Sequence, residues 1–330
     1  MTQKYSKLPM IIDFHNHFFP RPYLDALATG VYQASVQQSN GETRMVLHGD
    51  YNIIVEEHHN AAARVAALDA AGVDMQVLSL TVPGVHSETA AHGVKLAQIV
   101  NDGFAEVMAQ HPARYSALAA LPLQDPAAAV RELERAVTQL GLPGGTLFTH
   151  INGAPLDDDV FMPLYAKAME LGAVLFIHPT IPLHIDLMGA YRIVAVTGFL
   201  YETTTALCRL VYSGVLEQFP ALKLAAAHMG GAVPFIAERA DRGFAVYPEC
   251  RVRLTRKPSE YLCNIYMDTF PETPNAIRFA AEFAGYDKIL MGSDYPHQIG
   301  DLPGGVQTIR NMGIGEEEKR MILGETRGDC

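Results

Sequence analysis

Two histidines, His15 and His17, close the apolar run in "PMIIDFHNHFFP". Spaced two apart on an extended segment, both imidazoles point to one face. A pair held that way suits Zn2+ and related ions, and a third imidazole with a carboxylate would complete a mononuclear site with room for water or substrate. Three further apolar runs end in side chains of the required kinds: "AVLFIHP" in His178, "LKLAAAHMGG" in His228 and "KILMGSDYP" in Asp294. With 13 histidines in the chain, one HxH pair carries little weight alone. A lone His178 or His228 reads as a core histidine with its hydrogen bonds satisfied, and a lone Asp294 as turn chemistry. Agreement across several strand ends is what points to a site. His297 and His150 are weaker candidates for a pocket lining, whereas His58, His59 and His111 read as solvated surface residues.

Such side chains must be brought together by regular elements. Short apolar runs recur at 10–14, 75–80, 115–121, 145–148, 174–177, 222–227, 265–267 and 289–291. Helical periodicity follows each of them, at 57–71, 89–110, 126–140, 157–171, 202–218, 232–244, 274–283 and 304–322. Strand-then-helix units in this number predict a (β/α)8 TIM barrel, in which the catalytic face lies at the C-terminal ends of the strands. An open doubly wound sheet is the competing architecture, and no GxGxxG follows the first strand to support it. One connection is anomalously long: about forty residues, 18–56, separate the first strand from its helix. Partial alternation on either side of Ser39-Asn40-Gly41 predicts a small β-hairpin insertion over the catalytic face.

The 330 residues are 49% hydrophobic and carry a formal net charge of -11, which argues against nucleic acid or an anionic membrane as partner and for a small molecule. The first ten residues hold no signal-peptide core and no run is long enough to span a bilayer, so a cytoplasmic protein is expected. Cys208, Cys250, Cys263 and Cys330 follow no framework spacing, so no disulfide scaffold is expected.

The whole motif set resembles the amidohydrolase superfamily, and within it the aminocarboxymuconate-semialdehyde decarboxylase branch. "IDFHNHFFP", "LPLQDPAAAVRELERAVTQLG", "LFIHP", "ETTTALCRLVYSGVLEQFPALKLAAAHMGGAVPF" and "MGSDYP" all read like that family's segments. The resemblance implies one barrel domain over 1–330, with 18–56 inserted over its catalytic face. It implies one divalent ion, zinc first and manganese second, held by His15, His17, His178 and Asp294, with His228 beside it for acid/base work. Binuclear relatives carry a lysine after the fourth strand; "GGTLFTH" has none, in keeping with one ion. Arg44 matches an arginine of the insertion that holds a substrate carboxylate. Where the family has a second arginine, reaching in from a neighbouring subunit, this chain departs and has Tyr247, with Arg242 or Arg251 as the substitute. A homodimer is implied.

The expected activity is non-oxidative decarboxylation of a small aromatic or unsaturated carboxylic acid, with the proton delivered by Asp294 directly or by metal-bound water relayed through His228. The alternative from the same residues is a metal-dependent hydrolase or hydratase acting on a lactone, amide or alkene.

Overall fold

Runs of residues buried on both faces form the strands, as expected where helices cover a parallel sheet. The computed structural model describes residues 10–47, 50–270 and 273–325. The leader-free reading of 1–9 and the cysteine at 330 fall outside the described residues. The parallel strands are β1 (Ile12–His17), β2 (Met75–Ser79), β3 (Tyr115–Ala117, continued by Ala119–Ala120) and β4 (Gly144–Phe148). They continue with β5 (Val174–His178), β6 (Lys223–Ala226), β7 (Tyr266–Asp268) and β8 (Ile289–Leu290, continued by Gly292–Tyr295). Every residue of β4 and β5 is buried.

A four-stranded sheet runs in the order β8-β1-β2-β3, and a six-stranded sheet in the order β8-β7-β6-β5-β4-β3. The two sheets therefore share the chain segments at their edges, one piece of β3 and of β8 lying in each. All these pairings are parallel, so the protein is a mixed α/β fold on parallel sheets.

Gly144 shows how closely two of these strands approach. A Cβ there would sit 1.8 Å from the Val174 carbonyl oxygen, so only glycine is accommodated.

Helices fill the connections and most begin on the caps their sequences offer. Asn60, Thr89, Asp125, Thr273 and Asp301 each accept a backbone N–H three residues on. Two expected helices divide. The 202–218 pattern is Phe199–Tyr212 followed by Val215–Gln218, broken at Gly214 with φ of 83°, and 304–322 is Leu302–Arg310 followed by Glu316–Leu323. The 157–171 helix begins only at Met162, after a 3-10 turn capped by Asp158.

The 18–56 stretch holds a helix, Arg21–Ala28, and then a three-stranded antiparallel sheet of Ser35–Ser39, Glu42–Leu47 and Asp50–Ile54. Ser39 pairs with Glu42 across Asn40 and Gly41, both at positive φ, the geometry that two-residue hairpin turns require. This sheet packs toward the C-terminal ends of the parallel strands: Asn52 donates to the Val82 carbonyl oxygen at 2.8 Å, just beyond β2.

Candidate active site

At the end of β1 the regular alternation of the strand fails. Its pairing with β8 shifts register between His15 and Asn16, and its pairing with β2 shifts between Asp13 and Asn16. Phe14 and His15, consecutive residues, consequently both lie against Phe176, at 5.4 and 5.2 Å between ring centroids. The irregularity re-aims the histidines, a use of bulges common next to active sites.

The strand ends gather a buried cluster. His15, His178, His228 and Asp294 present donor atoms within 4.8 Å of one another, and His17, Asp294 and His297 form an overlapping group. His15 Nε2 lies 3.1 Å from His17 Nε2, and Asp294 Oδ1 lies 2.8 Å from His17 Nε2 and 3.5 Å from His15 Nε2. Each metal-type imidazole is oriented from behind. His15 Nδ1 donates to Asp268 Oδ2 at 2.7 Å and His178 Nδ1 to the Pro179 carbonyl oxygen at 2.8 Å. Ser79 spends its hydroxyl proton on the Asn16 carbonyl oxygen, so its oxygen accepts from His17 Nδ1 at 3.3 Å.

With the Nδ1 protons turned outward, the Nε2 lone pairs converge on the Asp294 carboxylate. Electron-rich atoms this close need a cation among them, and imidazole with carboxylate is a donor set for Zn2+, Mn2+ and similar ions. Burial pulls the His15 pKa down, but the Asp268 carboxylate more than offsets it, to about 8. Burial, opposed by His15, pushes Asp294 up to about 7. His17 and His178 stay well below the usual histidine range, first through burial.

His228 sits where β6 turns sharply: residues 228 to 231 all have positive φ. Gly231 is obligatory there, since a Cβ would meet the Leu200 carbonyl oxygen at 2.3 Å. The His228 backbone N–H donates to the same Asp268 Oδ2 that orients His15, at 3.0 Å. Its Nδ1 has no hydrogen-bond partner among the described residues, and burial pushes its pKa down to about 3. Phe148, Phe199 and Phe270 wall the cluster, each between 6.3 and 6.4 Å from an imidazole centroid. Apolar walls around converging polar groups are what a flat small-molecule ligand needs.

Arg44 makes its contacts inside the 18–56 segment. It holds Glu42 Oε2 at 2.7 Å and stacks over Tyr51 at 4.5 Å, within the antiparallel sheet. His58, read as a surface residue, is fully buried: its ring stacks on Phe19 and its Nε2 meets His297 Nδ1 at 3.2 Å. His150 contacts the Ile181 carbonyl oxygen at 3.1 Å and lies 3.8 Å from Glu202.

Two important residues were not singled out from the sequence. Asp268 ends the seventh apolar run, so the strand-end rule applied to every run finds it. Arg64, buried beneath the site, offers no such signal.

His86, at the side of the cluster, provides a stability test. It is buried against Phe148, with ring centroids 4.1 Å apart, and burial followed by His150 pushes its pKa down to about 3. The folded state thus binds fewer protons than the unfolded state between that value and the ordinary 6.5. Its contribution is complete above pH 6.5 and is lost as pH falls toward 3. His86→Gln should flatten the pH dependence of unfolding by about 1.4 kcal/mol per pH unit relative to wild type between these limits. Urea denaturation of both proteins at several acidic pH values measures the difference; parallel curves would refute the assignment.

Parallel strands ending in a buried imidazole–carboxylate cluster define a metal-dependent α/β enzyme. The chain belongs to the amidohydrolase family, whose model matches residues 12–326. It is 31% identical to the 2-amino-3-carboxymuconate-6-semialdehyde decarboxylase of Dictyostelium discoideum, over 95% of this chain and 89% of that one. The structure of 5-carboxyvanillate decarboxylase from Sphingomonas paucimobilis matches with a TM-score of 0.85 and 32% identity, covering 97% of this chain and 98% of that one. A dihydroxybenzoic acid decarboxylase from Polaromonas sp. JS666, solved with bound manganese and the inhibitor 2-nitroresorcinol, matches with a TM-score of 0.80 and 25% identity, covering 97% of this chain and 96% of that one.

Proposed function

We propose that this protein is a metal-dependent, non-oxidative decarboxylase of a small aromatic or unsaturated carboxylic acid. The observation that carries the reading is the convergence of the His15 and His17 Nε2 atoms on Asp294, walled by phenylalanines. Its relatives' shared activity supports it.

In this reading His15, His17, His178 and Asp294 hold one divalent ion, zinc or manganese. When bound, the ion supplies positive charge that orients the carboxylate and a neighbouring oxygen and stabilises charge developing on the substrate. The carbon–carbon bond to the carboxylate breaks, its electron pair stays on the substrate carbon, and CO2 leaves. A proton forms the new C–H bond. Asp294 gives that proton, and His228 in the same cluster moves the replacement proton inward. Arg44 exchanges Glu42 for a substrate carboxylate, which its planar fork can bind bidentately.

The two sheets read together as one closed (β/α)8 barrel. Support comes from a separate interior core to which strands of both sheets contribute: Val77, Leu118, Val174, Phe176, Ala225, Tyr266 and Leu290, with Ile12 and Phe14 packed against it. The 18–56 segment then lies over the catalytic face of a single domain spanning 1–330. We place the protein in the cytoplasm, in keeping with free Cys208, Cys250 and Cys263. Among the described residues no helix is long and apolar enough to cross a membrane. Exposed Leu187, Tyr191, Phe235 and Val252 offer apolar surface to a second copy in a homodimer.

The test is CO2 release by protein of known metal content, offered ortho-hydroxy and ortho-amino aromatic acids and aminocarboxymuconate semialdehyde. Release from at least one acid, lost on chelation and restored when the ion is returned, is expected. A chain holding roughly one divalent ion that releases CO2 from none of them would overturn the reading and turn the search to lactones, amides and alkenes.

A further inference from the structure

The donors around His58 fix the position of a proton inside the site. The Val55 backbone N–H lies 3.1 Å from His58 Nδ1. A backbone amide can only donate, so Nδ1 accepts and the single proton of the neutral ring sits on Nε2. A second proton is excluded, because burial and then His297 push the His58 pKa down to about 2. His58 Nε2 faces His297 Nδ1 at 3.2 Å and donates to it. His297 Nδ1 is thereby an acceptor in turn, and the proton of that ring is on Nε2.

His15, His17 and His178 have the opposite polarity: they give away their Nδ1 protons and turn bare Nε2 atoms inward. His297 lies tilted against His17, with centroids 4.7 Å apart at 34°, and belongs to the group that includes Asp294. Its Nε2 carries a proton where a metal ligand needs a lone pair, so an anion is its natural partner.

We propose that His58 and His297 form a directional dyad that presents His297 Nε2–H to an anionic oxygen of the substrate, its carboxylate or the adjacent phenolic oxygen. The inference rests on the decarboxylase reading for the nature of that anion. His297 is the group that touches substrate, and His58 is a positioning residue acting through it.

The test uses full-length, zinc-loaded protein carrying 15N-histidine, whose long-range 1H–15N correlations report each tautomer. His58 and His297 should both be Nε2–H, and His58→Phe, which keeps the stacking on Phe19, should leave His297 as a mixture of tautomers. His297 found as Nδ1–H overturns the dyad whatever the activity. In kinetics, His297→Phe should raise KM about tenfold to a hundredfold with kcat changed less than about threefold. His297→Gln, which returns an N–H near the Nε2 position, should recover most of that loss, whereas His297→Asn should not. Gln no better than Phe, at wild-type metal content, overturns the proposal. If no acid releases CO2, the decarboxylase reading fails separately, and 2-nitroresorcinol becomes the probe. Its Kd should then rise at least about tenfold in His297→Phe, and an unchanged Kd overturns the dyad.

Discussion

Asp294→Asn is expected to lower the rate of CO2 release about a thousandfold while leaving the fold intact. Asp294 has φ of 54°, a left-handed conformation that asparagine adopts nearly as readily as aspartate, so the backbone is not strained by the change. The amide keeps an oxygen where Oδ1 now lies, 2.8 Å from His17 Nε2. What it loses is a carboxylate that can take up and release a proton. Metal content and the thermal transition, measured beside the rate, separate a chemical defect from an empty or unfolded site. A variant that keeps more than about a tenth of the wild-type rate would move the proton source to water relayed through His228.

Arg64→Met is expected to cost about 3–5 kcal/mol of stability, read by urea denaturation of the metal-free chain. Arg64 is completely buried, yet all five of its N–H groups are engaged. They reach Gln76 Oε1, the carbonyl oxygens of His17, Glu57 and Tyr295, and Asn16 Oδ1, at 2.6 to 3.1 Å. Gln76 passes the network on to Asp13, which also accepts from the Ser293 backbone N–H and hydroxyl. Methionine fills similar space but leaves five acceptors unpaired inside the protein. Lysine, with three donors and no planar fork, should rescue little. Because the carbonyl oxygens of His17 and Tyr295 flank the cluster, the same variant should bind zinc more weakly in a chelator competition. A loss below about 1 kcal/mol would show that water replaces the guanidinium.

The strand-end side chains were legible in sequence because doubly covered strands read as apolar runs, and a histidine or aspartate closing such a run breaks the pattern conspicuously. Asp268 obeyed the same rule at the end of β7, but a carboxylate after a short strand is also ordinary loop chemistry, and only its bonds to His15 and His228 distinguish it. Arg64 was hidden for a different reason. It stands among alanines in the helix Ala61–Ala71, where a cation reads as solvated, and nothing local records that five acceptors from four other segments meet there. His58 misled in the same way: a paired His-His before a helix resembles surface, while its burial depends on Phe19 and on His297, 239 positions away. The Asn40-Gly41 turn was readable because its backbone requirement is local, whereas the third strand of that sheet was not, since pairing partners are chosen by the tertiary structure.

The adjacency of β1 and β8 has a consequence for how the molecule is made. Asp13 and Ser293 are hydrogen-bonded although 280 positions separate them, and His15 is in register with Gly292. During vectorial synthesis the first strand must wait, unpaired along one edge, for nearly the whole chain to emerge. A nascent polypeptide that has reached residue 285 already carries His15, His17, His178 and His228 but has no Asp294 and no Arg64 contact to Tyr295. Assembly of the site therefore cannot be completed until β8, the last strand, has been made.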